Sequence, residues 1–233
     1  MLGALALVGA LFAADLLIVV RAEFVAGAAL PYAVGGLLAV TQIARHHPHP
    51  TFGAANLVTL LRLLLTSLFS GFAVEMLFNP ASPADEALWA AFFLALAAVS
   101  LDGVDGFLAR RLSISSDFGS RFDMETDAFL ILMLSLAVFA LNKAGAWVLL
   151  GGLMRYIFVL AGWFWPAIAR PLPPSMRRKV ICVVQTGGLI LPLAPTIDPP
   201  TGALIAFAAF LLLLYSFAAD ALWSVRAGAP QPS

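Results

Sequence analysis

Residues 101–129 read LDGVDGFLARRLSISSDFGSRFDMETDAF, and they hold the acids Asp102, Asp105, Asp117, Asp123, Glu125 and Asp127 beside Arg110, Arg111 and Arg121. The surrounding chain is apolar. Of its 233 residues 62% are hydrophobic and only 11% are charged, and the mean hydropathy is +0.97. A soluble domain is about 45–50% apolar. Apolar runs recur here near the length that crosses a hydrocarbon layer of about 30 Å. The chain therefore reads as an all-α integral membrane protein that concentrates charge at one place. A formal net charge of zero gives no reason to expect a nucleic-acid partner. The single cysteine, Cys182, excludes an intramolecular disulfide and a Cys-rich metal site.

Working outward, the apolar runs predict eight spans, at about 3–20, 25–43, 57–78, 87–109, 123–141, 146–166, 180–197 and 203–225. The first lacks the basic start and small-residue cleavage site of a signal peptide, and is expected to be a retained helix. Polar punctuation such as RHHPHPTFGAAN and ARPLPPSMRRK separates the spans. With both termini inside, Arg45, Arg110, Arg111, Arg121, Arg170, Arg177, Arg178, Lys179 and Arg226 lie on the inner side, and Arg21 and Lys143 outside. That bias orients the acidic stretch toward the cytoplasm. Residues 1–50 read as an added two-helix transmembrane unit, set off by the Pro/His-rich loop from a six-helix remainder at 51–233.

Asp102 and Asp105 are three residues apart, and Asp123 and Asp127 four apart, so each pair shares a helix face. The short connection RRLSISSDFG would return the second helix beside the first, bringing the carboxylates into one cleft. Each acid at membrane depth costs roughly 2.5–3.5 kcal/mol on insertion scales. Like charges this close also repel and favour protonation. Hard divalent cations, Mg²⁺ or Mn²⁺, relieve both problems through oxygen ligands, and a pair of metals is a recurrent device for phosphoryl displacement. Gly106 and Ala109 are small enough to admit a ligand on the same helix. Gly119 gives the entry to the next helix backbone freedom. Arg110 is placed to neutralise a phosphate.

The string Asp102-x2-Asp105-Gly106-x2-Ala109-Arg110-x8-Gly119-x3-Asp123-x3-Asp127 resembles the complete signature of the CDP-alcohol phosphotransferase family, membrane enzymes of phospholipid synthesis. The likeness covers about residues 51–233. It implies a six-helix core, here with two extra N-terminal transmembrane helices. It implies attack of an alcohol hydroxyl on the β-phosphorus of a CDP-linked substrate, with release of CMP. By that resemblance Asp102, Asp105, Asp123 and Asp127 bind two divalent metals, and Asp127 is also the general base. Gly106, Ala109, Arg110 and Gly119 shape the CDP site.

NLVTLLR, residues 56–62, resembles the family's first core helix, which helps line the nucleotide pocket. Asn56, Thr59 and Arg62 recur there at helical spacing. The bland alternative is a polar helix start with Arg62 snorkelling to the interface. Arg155 lies inside a span, where an arginine is a functional candidate. With Arg121 and the cluster Arg177, Arg178, Lys179 it suits an anionic acceptor, although orientation alone also explains the cluster. Glu125 lies off the Asp123/Asp127 face and reads as structural. His46, His47 and His49 read as a solvated linker, Asp15 and Asp220 as facing a polar seam or an interface, and WFWPAI as an interfacial aromatic belt.

The leading expectation is a phosphatidyltransferase in a bacterial inner membrane, using CDP-diacylglycerol and a small polar alcohol. A CDP-choline or CDP-ethanolamine enzyme acting on diacylglycerol is the alternative. A divalent-cation transporter would place acids at the midplane, usually in paired broken helices; this chain gathers them at one face. A silent relative would have lost a motif aspartate, and none is lost. The family resemblance implies a homodimer; small-residue runs such as GALALVGALFAA permit close helix packing but do not by themselves show one.

Overall fold

Apolar runs bounded by proline, glycine and charge become seven α-helices among the described residues of the computed structural model. They are α1 (Ala22–His46), α2 (Ala54–Phe78), α3 (Asp85–Leu112), α4 (Asp117–Ala140), α5 (Val148–Phe164), α6 (Met176–Ile190) and α7 (Pro199–Arg226). A 3₁₀ turn, Leu191–Leu193, follows α6. The structure describes residues 21–46, 54–79, 83–112, 117–165, 173 and 175–226, and within helices it leaves aside the side chains of 39–40, 42–46, 54–59, 102–112 and 117–121. The expected first span at 3–20, with Asp15, lies outside the described residues, as do His47, His49 and the side chain of His46.

The helix positions follow the expected spans, and the differences have physical causes. Helix α4 begins at Asp117, not near 123, because its first turns are polar and carry no apolar period. Helix α6 stops at Ile190, not near 197, because Pro192 has no N–H to continue the ladder. Of the spans, Leu60–Phe78 and Pro199–Val225 are long and apolar enough to cross a membrane; Ala22–Leu38 and Val148–Phe164 are apolar but shorter. Helix α3 carries acids in its first turn and again at Asp102 and Asp105, α4 carries its acids in its first half, and α6 has 15 residues and opens on Arg177, Arg178 and Lys179.

The packing is small inside and greasy outside. Ala73, Ala95, Ala98, Ala137 and Ala206 are fully buried beside Phe69, Leu134, Leu189 and Leu193. Phe93, Leu150, Ile157, Leu204, Leu212 and Trp223 are exposed. Small side chains let helices approach closely where burial from water is not the driving force. Trp163, Phe164 and Trp165 project from the end of α5, in keeping with an aromatic belt.

Helix α2 packs against α1, α3 and α4; α4 also packs against α5, and α6 against α7. At Gly71 of α2 an added Cβ would lie 2.7 Å from the Phe24 carbonyl oxygen of α1, so only glycine permits this approach. Arg21 reaches Glu75 at 3.7 Å, which sets α1 antiparallel to α2.

These contacts sort the bundle into two ends. At one end α4 closes on Asn142, held in the left-handed region at φ 54°. Asn142 N–H donates to the Phe139 carbonyl at 2.9 Å and Lys143 N–H to that of Val138 at 3.0 Å, a Schellman closure. Nearby, Lys143 Nζ donates to the Ile197 carbonyl. Asp198 caps α7 by accepting from Thr201 N–H at 3.2 Å, ahead of Pro199 at the first helical position. The opposite end collects most of the charge.

Candidate active site

Asp123 and Asp127 share a face of α4, one turn apart. Arg62 comes from α2 to meet both: one guanidinium nitrogen, Nη1, donates to Asp123 Oδ1 and the other, Nη2, to Asp127 Oδ1. The register is fixed along the same stripe of α2, where Thr66 is buried and Ser70 Oγ lies 3.3 Å from Met133 Sδ of α4. Arg62 is only 2% exposed, so it does not snorkel to the interface. A buried guanidinium needs anionic partners, and two carboxylates one turn apart need a cation between them. Each requirement meets the other.

Asp127 also forms part of the wall of a cavity of about 700 Å³ between α4, α5, α6 and α7. Its apolar wall includes Ile131, Phe158, Leu213 and Phe217, and its cationic side Arg155, Arg178 and Lys179. Gly151 and Gly152 of α5 keep the wall thin: a Cβ on Gly152 would stand 2.8 Å from the Leu132 Cα of α4. Arg155 is held by Glu125 Oε1 at 2.6 Å. Asp220, in the middle of an apolar helix, is buried and accepts from Arg177, with Arg178 Nη1 3.7 Å away. The polar seam expected for Asp220 is this cluster. Arg177 also lies over the Tyr215 ring, 5.8 Å from its centroid.

The structure thus brings together Asp123, Asp127 and Arg62, sets Arg155, Arg178 and Lys179 around the cavity that Asp127 lines, and pairs Arg155 with Glu125 of α4. Asp102, Asp105, Gly106, Ala109 and Arg110 lie on α3, Gly119 and Arg121 in the first turns of α4, and Asn56 and Thr59 at the start of α2. Their side chains are outside those described. Among the described residues no group of three His, Cys, Asp or Glu side chains is gathered as for a metal. The donor chemistry of the described pair nevertheless fits a hard cation. Asp123 and Asp127 offer carboxylate oxygens from one helix face, and a positive group already bridges them. What sequence reasoning left open was Arg62. Its spacing from Thr59 put it on the nucleotide-facing stripe, but its partners lie 61 and 65 residues away.

The fold and this site agree with what comparison finds. A family model described as CDP-alcohol phosphatidyltransferase matches residues 52–220, from the start of α2 into α7. No curated protein and no solved structure matches the chain. The family comprises transferases of substituted phosphate groups that move a phosphate-linked group from a CDP-alcohol to an alcohol and are in general divalent-cation dependent. Matched over well more than half of its length, the chain belongs to the CDP-alcohol phosphatidyltransferase family.

Proposed function

We propose that this protein is a phospholipid-synthesis enzyme of the cytoplasmic membrane that transfers the phosphatidyl group of CDP-diacylglycerol to a small polar alcohol, releasing CMP. One observation carries the reading: Asp127 belongs at once to the carboxylate pair under Arg62 and to the wall of the cation-lined cavity. A proton acceptor and a room for the acceptor alcohol therefore meet at one side chain.

The roles follow from chemistry. The acceptor hydroxyl sits in the cavity and its oxygen attacks the β-phosphorus. The bond from that phosphorus to the CMP oxygen breaks, and the hydroxyl proton passes to the Asp127 carboxylate. Arg155, oriented by Glu125, and Arg178 and Lys179 hold the polar or anionic part of the acceptor. Asp102, Asp105, Asp123 and Asp127 would hold two divalent cations, Mg²⁺ or Mn²⁺, whose charge screens the pyrophosphate and makes CMP a better leaving group. Gly106, Ala109, Arg110 and Gly119, with Asn56 and Thr59, would form the nucleotide site.

A lipid donor is favoured because the site lies at one end of a bundle whose outer surface is apolar. The surplus of basic residues at that end supports a cytoplasmic orientation for it. Residues 51–233 form the catalytic unit in this reading, and residues 1–50 an added pair of helices.

The test is CMP release by purified protein in nanodiscs containing CDP-diacylglycerol and Mg²⁺, across a panel of polar alcohols. Release that depends on one acceptor supports the reading. Release only with diacylglycerol and CDP-choline or CDP-ethanolamine would replace it with the alternative donor class.

A further inference from the structure

We propose that Arg62 is a positioning residue that grips Asp123 and Asp127 from their buried side, fixing one oxygen of each and leaving the other oxygen to a divalent cation. This rests on the metal reading of the two aspartates given above.

Three observations carry it. The first is the asymmetry of exposure. The Arg62 side chain is 2% exposed, whereas those of Asp123 and Asp127 are 44% and 32% exposed. The arginine therefore approaches from the protein interior and the carboxylates face outward. The second is the cavity, which Asp127 lines and Arg62 does not. The third is the contact pattern. Arg62 engages Oδ1 of both residues, and among the described residues no hydrogen-bond partner reaches Oδ2 of either. Among the three side chains Arg62 is the buried one and the two carboxylates the exposed ones.

Geometry also explains the residue type. A guanidinium presents its donors in a rigid planar fork and spans two acceptors at once, whereas an ammonium is a single point charge on a flexible stem. Two carboxylates one turn apart repel and are each free to rotate. One buried fork removes the repulsion and locks both rotamers before any cation arrives. Residues that orient metal ligands in this way typically change metal affinity about 10–100-fold when replaced.

The experiment measures Mn²⁺ binding by electron paramagnetic resonance of the free ion, using purified protein in detergent without substrate. Wild type, Arg62→Lys and Arg62→Gln are compared, with Asp123→Asn as reference. The expected result is saturable binding by wild type, weakened about 10–100-fold in both Arg62 variants. Wild-type binding that is unchanged in the variants overturns the positioning role while leaving the metal reading intact. Tighter binding in the variants overturns it too, because Arg62 would then compete with the cation. Absence of saturable binding by wild type overturns the metal reading and the inference together.

A second measurement needs no variant. In wild-type protein carrying ¹⁵N-arginine, the Arg62 Nη–H signals should stay protected from exchange when Mg²⁺ is added. Their release on adding Mg²⁺ would show that the cation displaces Arg62, and would overturn the proposal.

Discussion

Asp127→Asn preserves the size of the side chain and removes both its charge and its capacity to take a proton. Because general-base catalysis contributes typically about 10²–10⁴-fold, CMP release should fall by at least about 10²-fold. Steady-state assay of the variant in nanodiscs checks this. Arg155→Gln removes a cation from the cavity wall and frees Glu125. A hydrogen bond to a charged group contributes about 1.5–3 kcal/mol. The KM for an anionic acceptor should therefore rise about 10–100-fold, with the KM for CDP-diacylglycerol unchanged. An uncharged acceptor should feel the substitution much less, which separates acceptor binding from a general loss of structure. At this scale the motif aspartates were legible because i, i+3 and i, i+4 spacing is a local property. The partners of Arg62, Glu125 and Asp220 were not, because each ion pair joins different helices and its sequence separation is at least 30 residues.

Helices meet their neighbours through positions where one added carbon decides the outcome. Gly71→Ala places a Cβ 2.7 Å from a backbone oxygen of α1 and forces the two helices apart. Overpacking of this kind costs about 1–3 kcal/mol, so the variant should melt at a lower temperature in detergent. Gly36→Ala on α1 meets nothing within 4 Å and should be neutral or stabilising, because alanine is the better helix former.

The cap of α7 is pH-sensitive. Thr201, donating from its side chain and its backbone N–H, holds the Asp198 carboxyl below its ordinary value of 3.8. A depressed folded-state value means the contribution is fully present above the ordinary range and is lost as pH falls through the folded-state value. The difference in melting temperature between wild type and Asp198→Ala should therefore be constant near neutrality and narrow below pH 3.8. Helix existence was legible from apolar runs, but helix ends were not. The polar turns from Asp117 extend α4 without any hydrophobic period, and Pro192 ends α6 inside an apolar stretch.

Across the whole molecule the bundle separates its two ends by chemistry. One end is closed by Asn142, Lys143 and the Asp198 cap. The other gathers Arg62, Asp123, Asp127, Arg155, the Arg177–Lys179 cluster and Asp220. Alternation of helix direction produces this sorting, and the distribution of basic residues in the sequence foretold it. The cationic side of the cavity was anticipated from Arg155 and the Arg177–Lys179 cluster, but its apolar walls and its size were not. Its size depends on how far α4 and α5 stand from α6 and α7, which Gly151, Gly152 and the buried small side chains decide together. On the proposed function, this cavity and the carboxylate pair serve one transfer reaction. The most direct test follows nanodisc-embedded protein with CDP-diacylglycerol, Mg²⁺ and isotopically labelled acceptor alcohols, measuring CMP and labelled phospholipid in the same sample. The two products should form in equal amounts with one acceptor, stop when the metal is chelated, and fail to form with Asp127→Asn. Labelled phospholipid made at the wild-type rate by Asp127→Asn, or CMP released with no phosphodiester product from any acceptor, would contradict it.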